Sequence, residues 1–361
     1  MKANQLTLLP VIILLFVSAS CKKNKIPLPP PTQTKVYVVG SEDNSFNVGA
    51  AKLWIDGTEK SITSFTGERN YGIASSVFVS KDKIYIGGNE ITEGKSKMAK
   101  LWDMQNTTTA INAFSNGNQF TLTDGTNEAF VTGVYQTTNR GTVASGTVSH
   151  GNNYIAAFWL NGIVRELTDG TREAMGLGIY ANDAVSYIAG YEHNGNNYVA
   201  KVWKSDFSYT ALTDGTHNAR ANAVFLSGND VYAAGYEHDG ISKNVAKYWK
   251  NGLATSLTDA SSFSTYANAI FVVGNDVYVA GYKRQNTTSR ACIWKNGVVT
   301  FLTDGTKDAV ANSIYVYGND VYVAGLESNG SFYVAKLWKN GVANNLTNGT
   351  KNARANSVFV K

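Results

Sequence analysis

Late in the chain, apolar and polar positions alternate in short runs. Residues 311–320, "ANSIYVYGND", alternate and then break at a Gly-Asn-Asp turn. "VYVAGLE" (321–327) follows, then a polar "SNGS", then "FYVAKLWKNG" (332–341) and "VANNLTNGT" (342–350). Successive side chains of a strand point to opposite faces, so a period of two bounded by Gly, Asn and Asp predicts strands joined by hairpins. Four such strands make one unit.

The unit repeats. "LTDGT" begins at Leu122, Leu167, Leu212 and Leu302, with "LTDAS" at Leu257 and "LTNGT" at Leu346. Four strands in about 45 residues is the rhythm of a propeller blade. The seven tryptophans (Trp54, Trp102, Trp159, Trp203, Trp249, Trp294 and Trp338) stand one per unit at the same strand position, which sets the number of blades. "KVYVVG" (35–40) matches the second strand of a unit and "ANSVFVK" (355–361) the first. The expected fold is therefore all-β: a seven-bladed β-propeller of four-stranded antiparallel blades, closed by N- and C-terminal strands sharing one blade. Such a seam hides both sheet edges.

Comparison of the copies assigns several recurrent residues to structure. One bulky aromatic per blade at a fixed position suits blade-to-blade packing, so the tryptophans and the second-strand tyrosines (Tyr37, Tyr85, Tyr187, Tyr232, Tyr278, Tyr322) are read as core. Asp followed by Gly in "LTDGT" suits a tight corner between one blade and the next. Asp124, Asp169, Asp214, Asp259 and Asp304 are single carboxylates, one per blade, and do not make a calcium site. Two positions flanking the hairpin between the second and third strands hold Glu42/Lys52, Glu90/Lys100, Glu192/Lys201, Glu237/Lys247 and Glu327/Lys336. Where Val148 or Lys283 replaces the acid, the partner is Ala157 or Cys292. Positions that change together predict contact across the hairpin.

The N-terminus reads differently. Lys2 precedes the apolar run "LTLLPVIILLFV" (6–17), too short to span a bilayer, and the small residues Ser18–Ala19–Ser20 follow it, as in a secretory signal peptide over 1–20. "VSASC" resembles the lipobox of bacterial lipoproteins, and the resemblance implies lipid on Cys21. Residues 21–34 carry four of the five prolines, predicting a semi-rigid extended stalk of about 40 Å. The propeller then occupies 35–361. Lys22 in place of Asp after Cys21 resembles lipoproteins sent to the outer membrane. The expected location is therefore the cell envelope, lipid-anchored.

Charge and cysteine count narrow the partners. With Lys2, Lys22, Lys23 and Lys25 set aside, the formal net charge of +5 falls to +1, which gives no footprint for nucleic acid. With Cys21 lipidated, Cys292 stands alone and no intrachain disulfide is available. A monomer is expected, with a glycan or an envelope protein as partner.

Candidate chemistry gathers at the starts of the inner strands. Asn222, Asn268, Asn312 and Asn356 occupy equivalent places, with Ser75, Thr132 and Leu177 in the other blades. Arg220 and Arg354 precede their asparagines by two residues, on the same side of a strand. An arc of carboxamides with two guanidinium groups near the channel mouth suits hydroxyl-rich or anionic ligands. The competing reading is that each asparagine bonds its neighbouring blade. His150, His193, His217 and His238 fall in loops without zinc spacing. Glu128, Glu173 and Asp308 also lie in loops, and no catalytic pair, metal site or cofactor is expected. "DMQNTTTAINAFSNGNQF" (103–120) contains an insertion of about a dozen residues relative to the other blades, a surface-loop feature.

The body resembles seven-bladed β-propeller lipoproteins of bacteria with WKNG-type repeats. It lacks the Asp-box of sialidase-like propellers, the WD ending, and a repeated double glycine, so no functional residue carries over from those families. The reading is a non-enzymatic ligand-binding or scaffold lipoprotein, with glycan binding at the channel mouth. The alternative is a glycan-active lyase or hydrolase on the same face.

Overall fold

The computed structural model describes residues 34–43, 49–63, 71–105, 118–257 and 263–361. Cys21, the leader and stalk, the insertion at 106–117 and Asp259 lie outside these residues. Residues 34–361 form one compact unit.

The described residues form seven sheets of four antiparallel strands. In blade 5, the inner strand Ala219–Ser227 pairs with Asp230–His238, then Asn244–Lys250, then the outer Leu253–Ser256. Blade 1 takes its inner strand, Ala353–Val360, from the end of the chain. It pairs with Val36–Asp43, which begins the N-terminal three strands of that blade. Lys35 and Lys361 close the seam by exchanging backbone hydrogen bonds of 2.7 and 3.0 Å. This is the seven-bladed propeller that the repeat spacing predicts.

The tryptophans hold the blades together. All seven are at most 2% exposed. Burying a side chain that covers about 150–250 Å², at about 25 cal/mol per Å², contributes roughly 4–6 kcal/mol each to collapse. Each blade interface also takes short aliphatic and alanine side chains: Ala189, Ala221, Val224 and Ala233 pack with Trp249 between blades 4 and 5.

The "LTDGT" corner is explained atom by atom. Leu212 is buried, and Thr213 Oγ1 accepts the Ala200 N–H of the third strand at 3.3 Å. Asp214 Oδ1 accepts the Thr216 N–H and hydroxyl at 2.9 and 2.7 Å, and Gly215 takes a φ of 78°. Asp124, Asp169, Asp304 and Asn348 repeat the bond to a threonine two residues on. The carboxylates serve their own turns.

Every inner strand carries a β-bulge at the same point. The register skips Ser75, Thr132, Leu177, Asn222, Asn268, Asn312 and Asn356. An extra residue on one strand bends it and re-aims its side chains, and here it does so once per blade around the channel.

Candidate functional site

Three layers of inner-strand side chains line the way into the ring. Going in from the corner loops, the first comes two residues before the bulge and the second is the bulge residue. The third comes three residues beyond the bulge.

The third layer is a closed aromatic collar. Phe78, Tyr135, Tyr180, Phe225, Phe271, Tyr315 and Phe359 supply one ring per blade, with neighbouring centroids 4.3–5.1 Å apart. Burial, then a hydrogen bond with Tyr180, pushes the Tyr135 hydroxyl far above its usual range. Burial also pushes Tyr315 up to about 12. Burial thus keeps the Tyr135 and Tyr315 hydroxyls neutral.

The bulge layer holds the predicted asparagines, and it fastens one blade to the next. Asn222 Nδ2 donates to the Ala267 carbonyl at 2.8 Å. Asn268, Asn312 and Asn356 donate to Ala311, Ala355 and Ala74, each at 2.9 Å. Thr132 makes the same bond to Gly176 O at 2.9 Å. The Nδ2 donors are therefore committed to the ring, as the competing reading of these residues had it. Arg220 and Asn222 also point different ways. The bulge interrupts the two-residue alternation, so Asn222 reaches the following blade while Arg220 turns back to the preceding one.

The mouth layer is asymmetric, and here the geometry departs from the sequence expectation. The Arg220 guanidinium lies over the Tyr191 ring at 4.4 Å and the Tyr198 ring at 5.4 Å, both in blade 4. Tyr236 and Tyr266 meet edge to face at 4.9 Å, and Tyr266 stacks on Tyr282 at 4.7 Å and 16°. Burial, partly offset by the Arg220 charge, raises the hydroxyl pKa of Tyr236, and burial pushes Tyr282 up to about 12. Blades 4 to 6 thus present five tyrosines, three of which (Tyr191, Tyr198 and Tyr236) feel the Arg220 charge. On blade 1, by contrast, Arg354 is exposed and acts electrostatically on Tyr71, and Val310 and Leu326 take the equivalent places in blade 7. The structure places Arg220 and Arg354 in separate environments.

Arg220 has one further property. Among the described residues its guanidinium has no hydrogen-bond acceptor and no carboxylate within 4 Å, although it is half-buried among aromatic rings. Glu173 is engaged elsewhere, accepting the Tyr198 hydroxyl at 2.9 Å. Glu128 does the same for Tyr154 at 2.6 Å, and Asp308 accepts the Ser289 N–H at 2.7 Å. The loop acids singled out in the sequence are therefore anchoring groups. His193 lies 5.1 Å from the Tyr198 ring, and its Nδ1 accepts the Gly195 N–H at 3.2 Å.

The aromatic cluster had a signal in the repeats. Second-strand copies read "AGYEH", "AGYEH" and "AGYKR" in blades 4, 5 and 6, where the other blades have Ser41, Asn89, Thr147 and Leu326 instead of tyrosine. The third-strand Tyr198 and inner-strand Tyr266 break no repeat rule and carried no signal alone.

Two clefts of about 310 Å³ open on the opposite face. One is lined by Tyr187, Lys204, Asn229 and Asn251 between blades 4 and 5, the other by Tyr85, Asp103, Gln136 and Asn161 between blades 2 and 3. They occupy equivalent places in two blade pairs, so they belong to the blade interface rather than to a single site.

No family model matches the chain, and no curated protein matches it. Solved structures do. A puromycin-hydrolysing peptidase of Mycobacterium tuberculosis aligns at a TM-score of 0.55 and 9% identity, over 86% of this chain and 51% of that one. A prolyl endopeptidase aligns at 0.48 and 10% identity, over 90% of this chain and 50% of that one. TolB from Acinetobacter baumannii aligns at 0.47 and 12%, over 75% and 64%. The chain spans between 50% and 64% of these proteins' lengths. The likeness is one of fold alone.

Proposed function

We propose that this chain is a non-enzymatic ligand-binding propeller of the bacterial cell envelope, tethered through lipid on Cys21. Its site is the tyrosine-rich half of the channel mouth, on blades 4 to 6, and its ligand is a glycan. One observation carries the reading: Arg220 brings five N–H donors into a half-buried aromatic setting in which no described residue offers an acceptor. Its nitrogens are not among the fully buried polar atoms, so a partner from outside can reach them. Flat tyrosine faces beside it offer the apolar side of a sugar ring a platform, and their hydroxyls offer it hydrogen bonds.

The lyase alternative fares worse on the same geometry. Tyr198, beside His193 and Arg220, is the residue placed to abstract a proton, but burial and its hydrogen bond to Glu173 raise its hydroxyl pKa. A phenol that already donates to a carboxylate is a poor base at neutral pH.

A glycan-array screen of the purified protein, repeated with Arg220→Ala and with Asn222→Ala, tests the proposal. Arg220→Ala is expected to abolish the strongest signals. Asn222→Ala is expected to keep the same specificity, because its carboxamide serves the neighbouring blade. Signals untouched by Arg220→Ala would move the site off the mouth.

A further inference from the structure

We infer that the ligand is an acid-substituted sugar, a pyranose whose anionic group sits on the Arg220 guanidinium while its ring lies against Tyr266. The inference rests on the mouth being the binding site. It adds the ligand's charge and pose.

Three features of the mouth support it. First, the group without an acceptor among the described residues is a guanidinium, whose planar fork matches a carboxylate or an ester sulfate or phosphate with two parallel hydrogen bonds. A neutral hydroxyl would satisfy one donor and leave the cation uncompensated in its half-buried setting. Second, Glu173, a mouth carboxylate that acts electrostatically on the neighbouring Tyr191 and Tyr198, is held by the Tyr198 hydroxyl and makes no ion pair with Arg220. The positive charge is left for a ligand. Third, the guanidinium is fixed rather than free to swing. It lies over the rings of Tyr191, itself 2% exposed, and Tyr198, so its position is set before a ligand arrives.

Tyr236 links the platform to that fork. Tyr266 is stacked against Tyr282, and its hydroxyl accepts from Asn244 Nδ2 at 2.9 Å, which fixes the ring. Tyr236 stands edge-on to Tyr266, and the Arg220 charge acts on its hydroxyl. A sugar ring seated on Tyr266 would reach the guanidinium past Tyr236, which touches the one ring and feels the charge of the other group. The aromatic collar lies deeper along the same strands, so the ligand sits in the mouth and does not thread the ring.

Calorimetric titration with three oligosaccharides of one backbone, bearing uronic acid, sulfate ester or no charge, tests this without any mutation. The expected result is that at least one acidic form binds about 10–100-fold more tightly than the neutral one, the range that one charged bidentate contact spans. Preference for uronate over sulfate, or the reverse, identifies which acid the fork takes. Arg220→Gln is expected to remove the acidic preference, so that charged and neutral forms bind alike, and Arg220→Lys to restore part of it. Equal binding of charged and neutral forms, or no binding of either acidic form, overturns the inference. Tyr266→Ala separates that failure from failure of the site. If the neutral form binds and Tyr266→Ala abolishes it, the mouth is the site and only the charge assignment is wrong. If Tyr266→Ala and Arg220→Gln both leave all binding intact, the mouth itself is wrong.

Discussion

A Cβ on Gly235 would sit 1.9 Å from the Arg220 carbonyl oxygen, and the equivalent glycine of every other blade would meet its carbonyl at 1.9–2.1 Å. The bulge explains it. By adding a residue to the inner strand, it swings the carbonyl of the mouth residue toward the second strand, where only hydrogen fits. On the other side of the glycine, in blades 2, 3, 4 and 7, the tryptophan ring closes to within 2.8–3.0 Å of the same Cβ position. Gly235→Ala must therefore move backbone, and it is expected to cost about 1–3 kcal/mol, the range for overpacking a tight site. The midpoint of urea unfolding reads this directly, and an unchanged midpoint would contradict the role given to the bulge. Because Arg220 stands one residue before the bulge's first flank, the same variant should also disturb ligand binding.

At the scale of the elements, the second and third strands are tied by ion pairs that the internal copies disclose. Glu237–Lys247 and Glu192–Lys201 are in direct contact, and Glu90–Lys100, Glu327–Lys336 and Glu42–Lys52 lie at 3.0, 2.8 and 3.4 Å. The contact is diagonal: Lys247 opposes Gly235, and Glu237 stands two residues on. A double-mutant cycle on Glu237 and Lys247 is expected to give a coupling near the upper end of the roughly 0.2–1 kcal/mol of exposed pairs, because both side chains are mostly covered. No coupling would contradict the pairing. A second set of pairs escaped the sequence comparison. Asp230–Lys250, Asp276–Lys295 and Asp320–Lys339 lie at 2.8 Å, and blade 2 reverses the charges as Lys83–Asp103 at 3.0 Å. The reversal was on the page in the repeats. The bulge was not: it is a register property with no fixed residue type, and Asn, Thr, Ser and Leu all occupy it. For that reason the asparagines suggested an arc of ligand groups, when their nitrogens in fact bridge the blades. Asn268→Ala would leave the Ala311 carbonyl without its partner. It is expected to cost about 1–3 kcal/mol in unfolding free energy while leaving ligand specificity unchanged.

The propeller was legible because its period, tryptophan count and split blade each follow from closing a ring of identical units. The proposed ligand site was less legible because it is built from departures from that period, the second-strand tyrosines of three consecutive blades. The repeats also give the molecule a collective pH response. Hydrogen bonds from threonines two residues on hold Asp124, Asp169, Asp214 and Asp304 below the usual carboxyl pKa, and backbone N–H groups hold Asp239 at about 2. A folded-state pKa below the unfolded one gives stability that is complete above about pH 4 and is lost as pH falls through the folded values. Lys250 is shifted the other way, to about 12, by hydrogen bonds with Asp230 and Tyr232. Its contribution is complete below about pH 10.4 and fades as pH rises toward 12. Unfolding midpoints should thus be level from pH 5 to pH 9 and fall on both sides. A decline already under way at pH 5 would contradict the assignment. The most direct test of the central claim, a ligand seated on Arg220 and its tyrosines, is hydrogen exchange of the protein with and without a bound oligosaccharide. Slowed exchange confined to the mouth ends of strands in blades 4 to 6, around Tyr191, Arg220 and Tyr266, is the predicted result. Slowed exchange in the clefts of the opposite face, or spread evenly around the seven blades, would contradict it.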